Sequence, residues 1–271
     1  MIEFIKAIIL GIIQGITEWL PISSSGHMLI FNSLWPFNFS DSFIKLFIVF
    51  IQIGSVLAVL FLFMSTLNPF DRHKSKQAKL STINLWIKIA IASIPAAIIG
   101  LLFDDFIGLY LDLPWVIACT LILYGLIFIL VERVHIDKRV TLVSDISYKD
   151  AILIGVFQTL ALIPGTSRSG ATIVGALLLG FSRVVAAEFS FFLSIPVLLG
   201  AGGLKLVKLG LALSSTEWMI LMTGLLTAFI VSLLVIKALM RFVKNHSFTS
   251  FAYYRIVLGG LILILIGFKV L

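Results

Sequence analysis

The sequence predicts an all-α polytopic membrane protein made of two inverted-topology repeats, each a re-entrant helix hairpin plus three transmembrane helices. Three observations carry this expectation. Apolar residues make up 60% of the 271 and charged ones only 12%, against about 45–50% and about 25% in a soluble domain. The apolar residues fall into runs separated by short polar segments. One interrupted pattern, an apolar run ending at Pro with small polar residues after it, occurs twice; Gly11 and Gln14 of the first return as Gly155 and Gln158 of the second.

The runs in order are about 4–20, 26–35, 43–67, 83–103, 114–131, 151–163, 171–181, 186–204, 217–240 and 249–271. Helix is the default, because lipid offers the backbone no hydrogen-bond partner, and the alternating strands of a barrel are absent. At about 20 residues per span there is no room for a separate soluble domain. The chain therefore reads as a single integral membrane domain, repeat one being 1–140 and repeat two 141–271. The first run leads directly into the chain's richest polar motif, which argues against a cleavable signal peptide. The first two runs of each half are short and broken by Pro and Ser/Thr/Gly, the pattern of a hairpin lining a site near the midplane. Three true spans per half then leave the second half inverted.

Charge tests this topology. The segments 68–82, 132–149 and 237–248, expected as loops on one side, hold eleven Lys and Arg. The opposite side receives 104–113, with Asp104, Asp105 and Asp112, and 205–216, with Lys205 and Lys208. That bias places the basic loops in the cytoplasm and both termini outside. The net charge of +7 is thus a membrane signature. No aromatic-basic module supports nucleic-acid binding. Cys119 is the single cysteine, so an internal disulfide and a multi-cysteine metal site are excluded.

The ionisable residues inside apolar runs are mainly Glu18, His27, Lys45, Lys88, Arg168, Glu188 and Arg255. Each is costly at the bilayer centre and hence a functional candidate; Lys45, Lys88 and Arg255 read as snorkelling to an interface. The two motifs differ because their polar groups converge. Gln14 and Glu18 share a helix face. Pro21 ends that helix, Ser23, Ser24 or Ser25 caps the next, and His27 follows one turn after Ser24. In the second motif Pro164 ends a helix, Thr166 or Ser167 caps its successor, and Arg168 and Thr172 share a face. Two helix N-termini with Arg168 make a phosphate-type anion site. Glu18 suits such a site if it holds a divalent cation or accepts a proton. Ser, His and Glu together supply a nucleophile, a proton carrier and a base. The plainer reading makes the hydroxyls helix caps and interhelical hydrogen bonds. Glu, Ser, His and Arg at matching points of two repeats favour a site.

At these residues the chain resembles the undecaprenyl-diphosphate phosphatase family, bacterial membrane enzymes also known for bacitracin resistance. The resemblance rests on Gln14-Gly-Ile-Thr-Glu18-Trp-Leu-Pro21-Ile-Ser-Ser-Ser-Gly-His27 and Pro164-Gly-Thr-Ser-Arg-Ser-Gly-Ala-Thr172. Ile51-Gln52-Ile-Gly54 and Glu188-Phe-Ser-Phe-Phe-Leu-Ser-Ile-Pro196 support it. It implies hydrolysis of the terminal phosphate of undecaprenyl diphosphate, which regenerates the lipid carrier for cell-wall polymers. It implies a site open to the outer face of the bacterial plasma membrane and a divalent cation, magnesium or calcium. Bacitracin then acts on the substrate rather than on the protein. Carried over, Glu18 is the essential acid, Ser24 the nucleophile, His27 the proton-transfer partner and Arg168 the phosphate clamp. Gln14, Ser23, Ser25, Ser167, Ser169 and Thr172 are the substrate-binding candidates. Many relatives have Glu at Gln14; with one charge fewer, the metal falls to Glu18 with Gln14, or to Glu18 with phosphate oxygens. The alternatives are a lipid or small-molecule transporter or flippase with a midplane anion site, and a binder that sequesters the carrier.

Overall fold

The computed structural model describes residues 1–209 and 213–271, with the side chains of all of these except Asp104 and Leu209. The helices are α1 (Ile2–Thr17), α2 (Ser24–Leu34), α3 (Asp41–Leu62), α4 (Met64–Leu67), α5 (Lys76–Phe106) and α6 (Pro114–Arg133). They continue with α7 (Tyr148–Thr159), α8 (Arg168–Leu178), α9 (Arg183–Leu209), α10 (Ser215–Asn245) and α11 (Thr249–Gly267). Six of them, α3, α5, α6, α9, α10 and α11, are long and apolar enough to cross a membrane. Among the described residues β-pairing is limited to one isolated bridge, Val140 with Phe181.

Local chemistry sets the helix starts. Ser40 accepts from the Phe43 N–H at the head of α3. Ser147 with Asp150, and Ser214 with Glu217, form reciprocal capping pairs at α7 and α10, each satisfying two backbone donors that a helix start leaves open. Pro114 occupies the first turn of α6, where its missing N–H costs nothing. Large apolar side chains such as Ile94, Leu102, Leu234 and Val257 remain exposed on the outer faces, as lipid contact requires.

The spans extend further than the apolar runs. The expected acidic loop 104–113 is instead the end of α5 followed by a π-helical turn, Ile107–Leu111. Lys205 lies within α9, and the part of segment 205–216 that covers 210–212 falls outside the described residues. Lys237, Arg241 and Lys244 are on the last turns of α10 and not in a loop. Lipid ends where polar residues begin, but the intrahelical hydrogen bonds continue to satisfy the backbone in water. The short helix α4 is set off from α3 at Phe63, whose φ of −106° leaves the helical range.

The central packing exchanges partners between the halves. Helix α1 lies on α10 and α7 on α5, while α3 crosses α9 and α6 lies along α11. The α1 and α7 contacts are close for the same reason. A Cβ at Gly11 would stand 2.7 Å from the Gly224 carbonyl, and one at Gly155 would stand 2.4 Å from the Ala92 carbonyl.

Candidate active site

Both interrupted motifs fold alike. Helix α1 ends at Thr17, before Pro21, and α7 ends at Thr159, before Pro164, since the residue preceding proline is disfavoured in the helical region. Each chain then turns into an eleven-residue helix through a serine in the left-handed region, Ser23 at φ 71° and Ser167 at φ 70°. Each such serine costs about 1–3 kcal/mol of local strain and persists only where its surroundings over-determine it. Here the surroundings are reciprocal. Ser23 Oγ lies 2.9 Å from Ser25 Oγ, and Ser167 Oγ 3.1 Å from Ser169 Oγ. Ser25 Oγ accepts from the Gly165 N–H of the other motif at 3.0 Å. Ser169 Oγ donates to the Leu20 carbonyl of the first at 3.4 Å.

The expected capping is met in one motif. Ser167 Oγ accepts from the Gly170 N–H at 3.2 Å, whereas among the described residues the head of α2 has no side-chain cap and the buried Thr166 hydroxyl has no partner. Gly165, at φ 88°, is obligatory: a Cβ there would fall 2.0 Å from Thr120 Oγ1 and 2.5 Å from the Ile117 carbonyl.

Where the motifs meet, a cavity of about 950 Å³ opens, lined among others by Glu18, Ser23, Ser24, Ser25, Ser167 and Arg168. Its floor is an ion pair between buried side chains. Arg168 Nε and Nη2 donate to Glu18 Oε1 at 3.3 and 3.1 Å. Arg168 Nη1 donates to the Ser190 carbonyl at 2.7 Å, and Gln14 Nε2 donates to Glu18 Oε2 at 2.9 Å. A guanidinium has five N–H groups. Three are engaged, which leaves one N–H on each terminal nitrogen without a partner among the described residues. Ser24 is the first residue of α2; its half-buried hydroxyl lines the cavity and has no hydrogen-bond partner among the described residues.

Four sequence candidates are not on the cavity wall. Gln14 lies buried behind Glu18, with its Oε1 lacking any partner among the described residues. Ser169 is buried between the motifs. Thr172 donates to the Arg168 carbonyl at 2.9 Å and pairs with Ser190 Oγ at 2.7 Å. His27 stacks on Tyr254 at a centroid distance of 5.6 Å, with Nδ1 2.7 Å from the Ser23 carbonyl and Nε2 2.7 Å from the Tyr254 hydroxyl. The Ser23 carbonyl can only accept, so Nδ1 carries the proton that donates to it. No hydrogen bond joins His27 to Ser24 among the described residues.

Two residues set aside as snorkelling cations are buried. Lys88 is one. The other, Arg255, is fully buried and donates to the carbonyls of Pro21, Leu121, Gly165 and Thr166 at 3.1, 3.4, 2.9 and 2.9 Å. It therefore ties both motif loops to α6 and α11. Its partners are backbone carbonyls, which carry no sequence signal; the clue available was a charge near the middle of the last span.

The chain is similar to known proteins over nearly its whole length. The chain is 52% identical over 263 residues to undecaprenyl-diphosphatase 1 of Clostridioides difficile, covering 97% of this chain and 96% of that one. It is 51% identical over 268 residues to an undecaprenyl-diphosphatase of Enterococcus faecalis, covering 97% of each. With the undecaprenyl-diphosphatase of Acetivibrio thermocellus it shares 51% over 266 residues, 97% of this chain and 98% of the other. The family profile described as bacitracin resistance protein BacA matches residues 7–261. The chain belongs to the BacA family.

Proposed function

We propose that the chain hydrolyses undecaprenyl diphosphate to undecaprenyl phosphate and inorganic phosphate, using the cavity between the two motifs. The observation that carries this reading is that the Ser24 hydroxyl, without a partner among the described residues, and Arg168, with two spare N–H groups, line the same cavity. Relatives about 50% identical over nearly the whole chain bear the undecaprenyl-diphosphatase name.

The terminal phosphate binds with two oxygens on the Arg168 fork, and the starts of α2 and α8 add N–H groups and the positive ends of their dipoles. Phosphoryl transfer asks mainly for such positioning and charge stabilisation. Ser24 Oγ attacks the terminal phosphorus, its proton passing to Glu18, the carboxylate at the cavity floor. The Oγ–P bond forms, the anhydride P–O bond breaks, and undecaprenyl phosphate departs with the bond's electron pair. A phosphate monoester holds its second proton only below about pH 6, so this leaving group needs no general acid. Glu18 then releases that proton to solvent; water attacks the phosphoserine and passes a proton to Glu18, which returns it to Ser24 Oγ as the Oγ–P bond breaks, giving inorganic phosphate and free Ser24. His27 fits as a positioning residue that holds the Ser23 carbonyl, and with it the strained turn before Ser24.

A divalent cation, magnesium or calcium, fits this set in one form. Among the described residues no three His, Cys, Asp or Glu side chains cluster. Glu18 and the unpartnered Gln14 Oε1 are the protein oxygens that would hold it, with phosphate oxygens and water completing the shell, as is common for magnesium. Bound there, the ion would neutralise charge on the phosphate oxygens.

The same reading includes two inverted-topology repeats with re-entrant hairpins, in the bacterial plasma membrane with the cavity facing outward. The matched serine turns, the equal short helices and the exchange of partners between α1·α10 and α7·α5 support it. The cavity is lined by Asp105 and Asp112, at the end of α5 opposite the basic Lys76 and Lys79, which the charge bias places outside. Bacitracin resistance would follow from removal of the diphosphate and needs no contact between the antibiotic and the chain.

Rapid-quench labelling tests the chemistry. Turnover of a substrate labelled in its terminal phosphate should trap phosphoserine at Ser24, and Ser24→Ala should abolish both adduct and turnover. Loss of only about 10²–10³-fold, the worth of one transition-state donor, with no adduct would assign the attack to water.

A further inference from the structure

A second polar cavity, of about 300 Å³, lies at the other end of α5. It is lined by α4, the first turns of α5 and the Val143–Asp145 turn, and includes Lys74, Lys88, Asn84, Ser65, Ser81 and Ser144. Lys88 and Asp105, on the wall of the first cavity, are 17 residues apart on one helix, or about 25 Å along its axis. This is therefore a separate place in the molecule.

Its chemistry is one-sided. Lys88 is only 6% exposed and makes no hydrogen bond or ion pair among the described residues. Its Nζ lies 5.8 Å from the Tyr148 ring, and the carboxylates of Asp150 and Asp145 act on its charge from beyond salt-bridge distance. An ammonium in that position has gained one weak cation–π contact and the field of two carboxylates that do not touch it, which leaves its own N–H groups without an acceptor among the described residues. Asp150, the buried acid of this region, is already held by Arg139 and Ser147. Lys74 is anchored to the Thr66 and Asn68 carbonyls and to Thr82 Oγ1, so it contributes charge without an opposing carboxylate. Asn84 uses its Oδ1 to accept from the Tyr148 hydroxyl, which leaves its amide N–H groups free. The hydroxyls of Ser65 and Ser81 make no hydrogen bond among the described residues. No acidic side chain lines the cavity.

We infer that this cavity is a second anion site, built for a phosphate group, with Lys88 as its buried charge and Asn84, Ser65 and Ser81 as neutral donors. A tetrahedral phosphate accepts several hydrogen bonds at once and supplies the directly bonded acceptor that Lys88 has none of among the described residues. Free in solution or carried on a lipid, the group makes the same requirement on the site. The inference does not rest on the hydrolytic reading.

The test uses the full chain in detergent, with two probes. Equilibrium dialysis with labelled orthophosphate is run on the native chain, Arg168→Ala and Lys88→Met; Arg168→Ala removes the guanidinium of the first cavity. Native mass spectrometry counts copies of phosphatidic acid retained from mixed micelles by the same proteins. A free-phosphate site gives orthophosphate binding that survives Arg168→Ala and weakens at least about tenfold in Lys88→Met, the worth of one charge-assisted hydrogen bond. A lipid-headgroup site gives that loss in the phosphatidic acid count, with orthophosphate unmoved. Equal binding of both probes by the native chain and Lys88→Met overturns the inference. If Lys88→Met does not fold, Asn84→Ala is measured in its place, and unchanged binding of both probes there overturns it equally. Hydrolytic turnover should be the same in Lys88→Met as in the native chain.

Discussion

At the scale of single residues, two arginines divide the work of the cavity. Arg168 spends three N–H groups on Glu18 and Ser190 and has two left without a partner among the described residues; in the proposed reading these hold the phosphate. Lysine has the charge but not the planar fork. Arg168→Lys should therefore lower kcat/KM by at least about tenfold, the loss of one charge-assisted hydrogen bond, with the melting temperature less affected; steady-state kinetics beside thermal unfolding in detergent checks this. Arg255 reaches four carbonyls and no carboxylate. Arg255→Lys cannot satisfy all four, and each abandoned charge-assisted bond is worth about 1.5–3 kcal/mol. This variant should lose stability and turnover together, and a variant that unfolds at the native temperature would show that the loops do not need the clamp. Gln14, Glu18, Ser24 and Arg168 were legible in the sequence because they stand at helical spacings around two prolines. Arg255 was not, because a lone cation in a span looks like a snorkelling one until its carbonyl partners are seen. The place of His27 against Tyr254 was equally hidden: the two are 227 positions apart.

At the scale of elements, the two short helices α2 and α8 matter through their starts. Ser23 and Ser167 accept left-handed backbone, and Gly165 allows the second loop to pass Thr120 and Ile117. Gly165→Ala brings the left-handed cost of about 1–2 kcal/mol and overpacking of about 1–3 kcal/mol. We expect it to lower the melting temperature and disable turnover. An unperturbed variant would mean that the loop is looser than its contacts suggest. The positions of the helices were readable from the apolar runs, because lipid forces backbone satisfaction within each segment. Their ends were not. Polar stretches such as Lys237 to Lys244 continue as helix in water, and hydropathy marks the bilayer edge, not the last hydrogen bond.

At the scale of the whole molecule, six helices can cross a membrane and the basic residues gather toward one end. With Cys119 exposed, topology is best read in a Cys119→Ser background. Asp112→Cys and Leu271→Cys should label from outside intact cells with an impermeant maleimide, and Lys76→Cys should not. Labelling at Lys76→Cys would reverse the orientation, and labelling at only one of the other two would break the odd span count of each half. The central claim is that the cavity holding Glu18, Ser24 and Arg168 hydrolyses a prenyl diphosphate. The most direct measurement is orthophosphate release from undecaprenyl diphosphate by the purified chain in detergent, run beside Ser24→Ala. The account predicts many phosphates released per native chain and none above background from the variant. Saturation of the native chain at one lipid per protein without phosphate release, or equal release by Ser24→Ala, would contradict it.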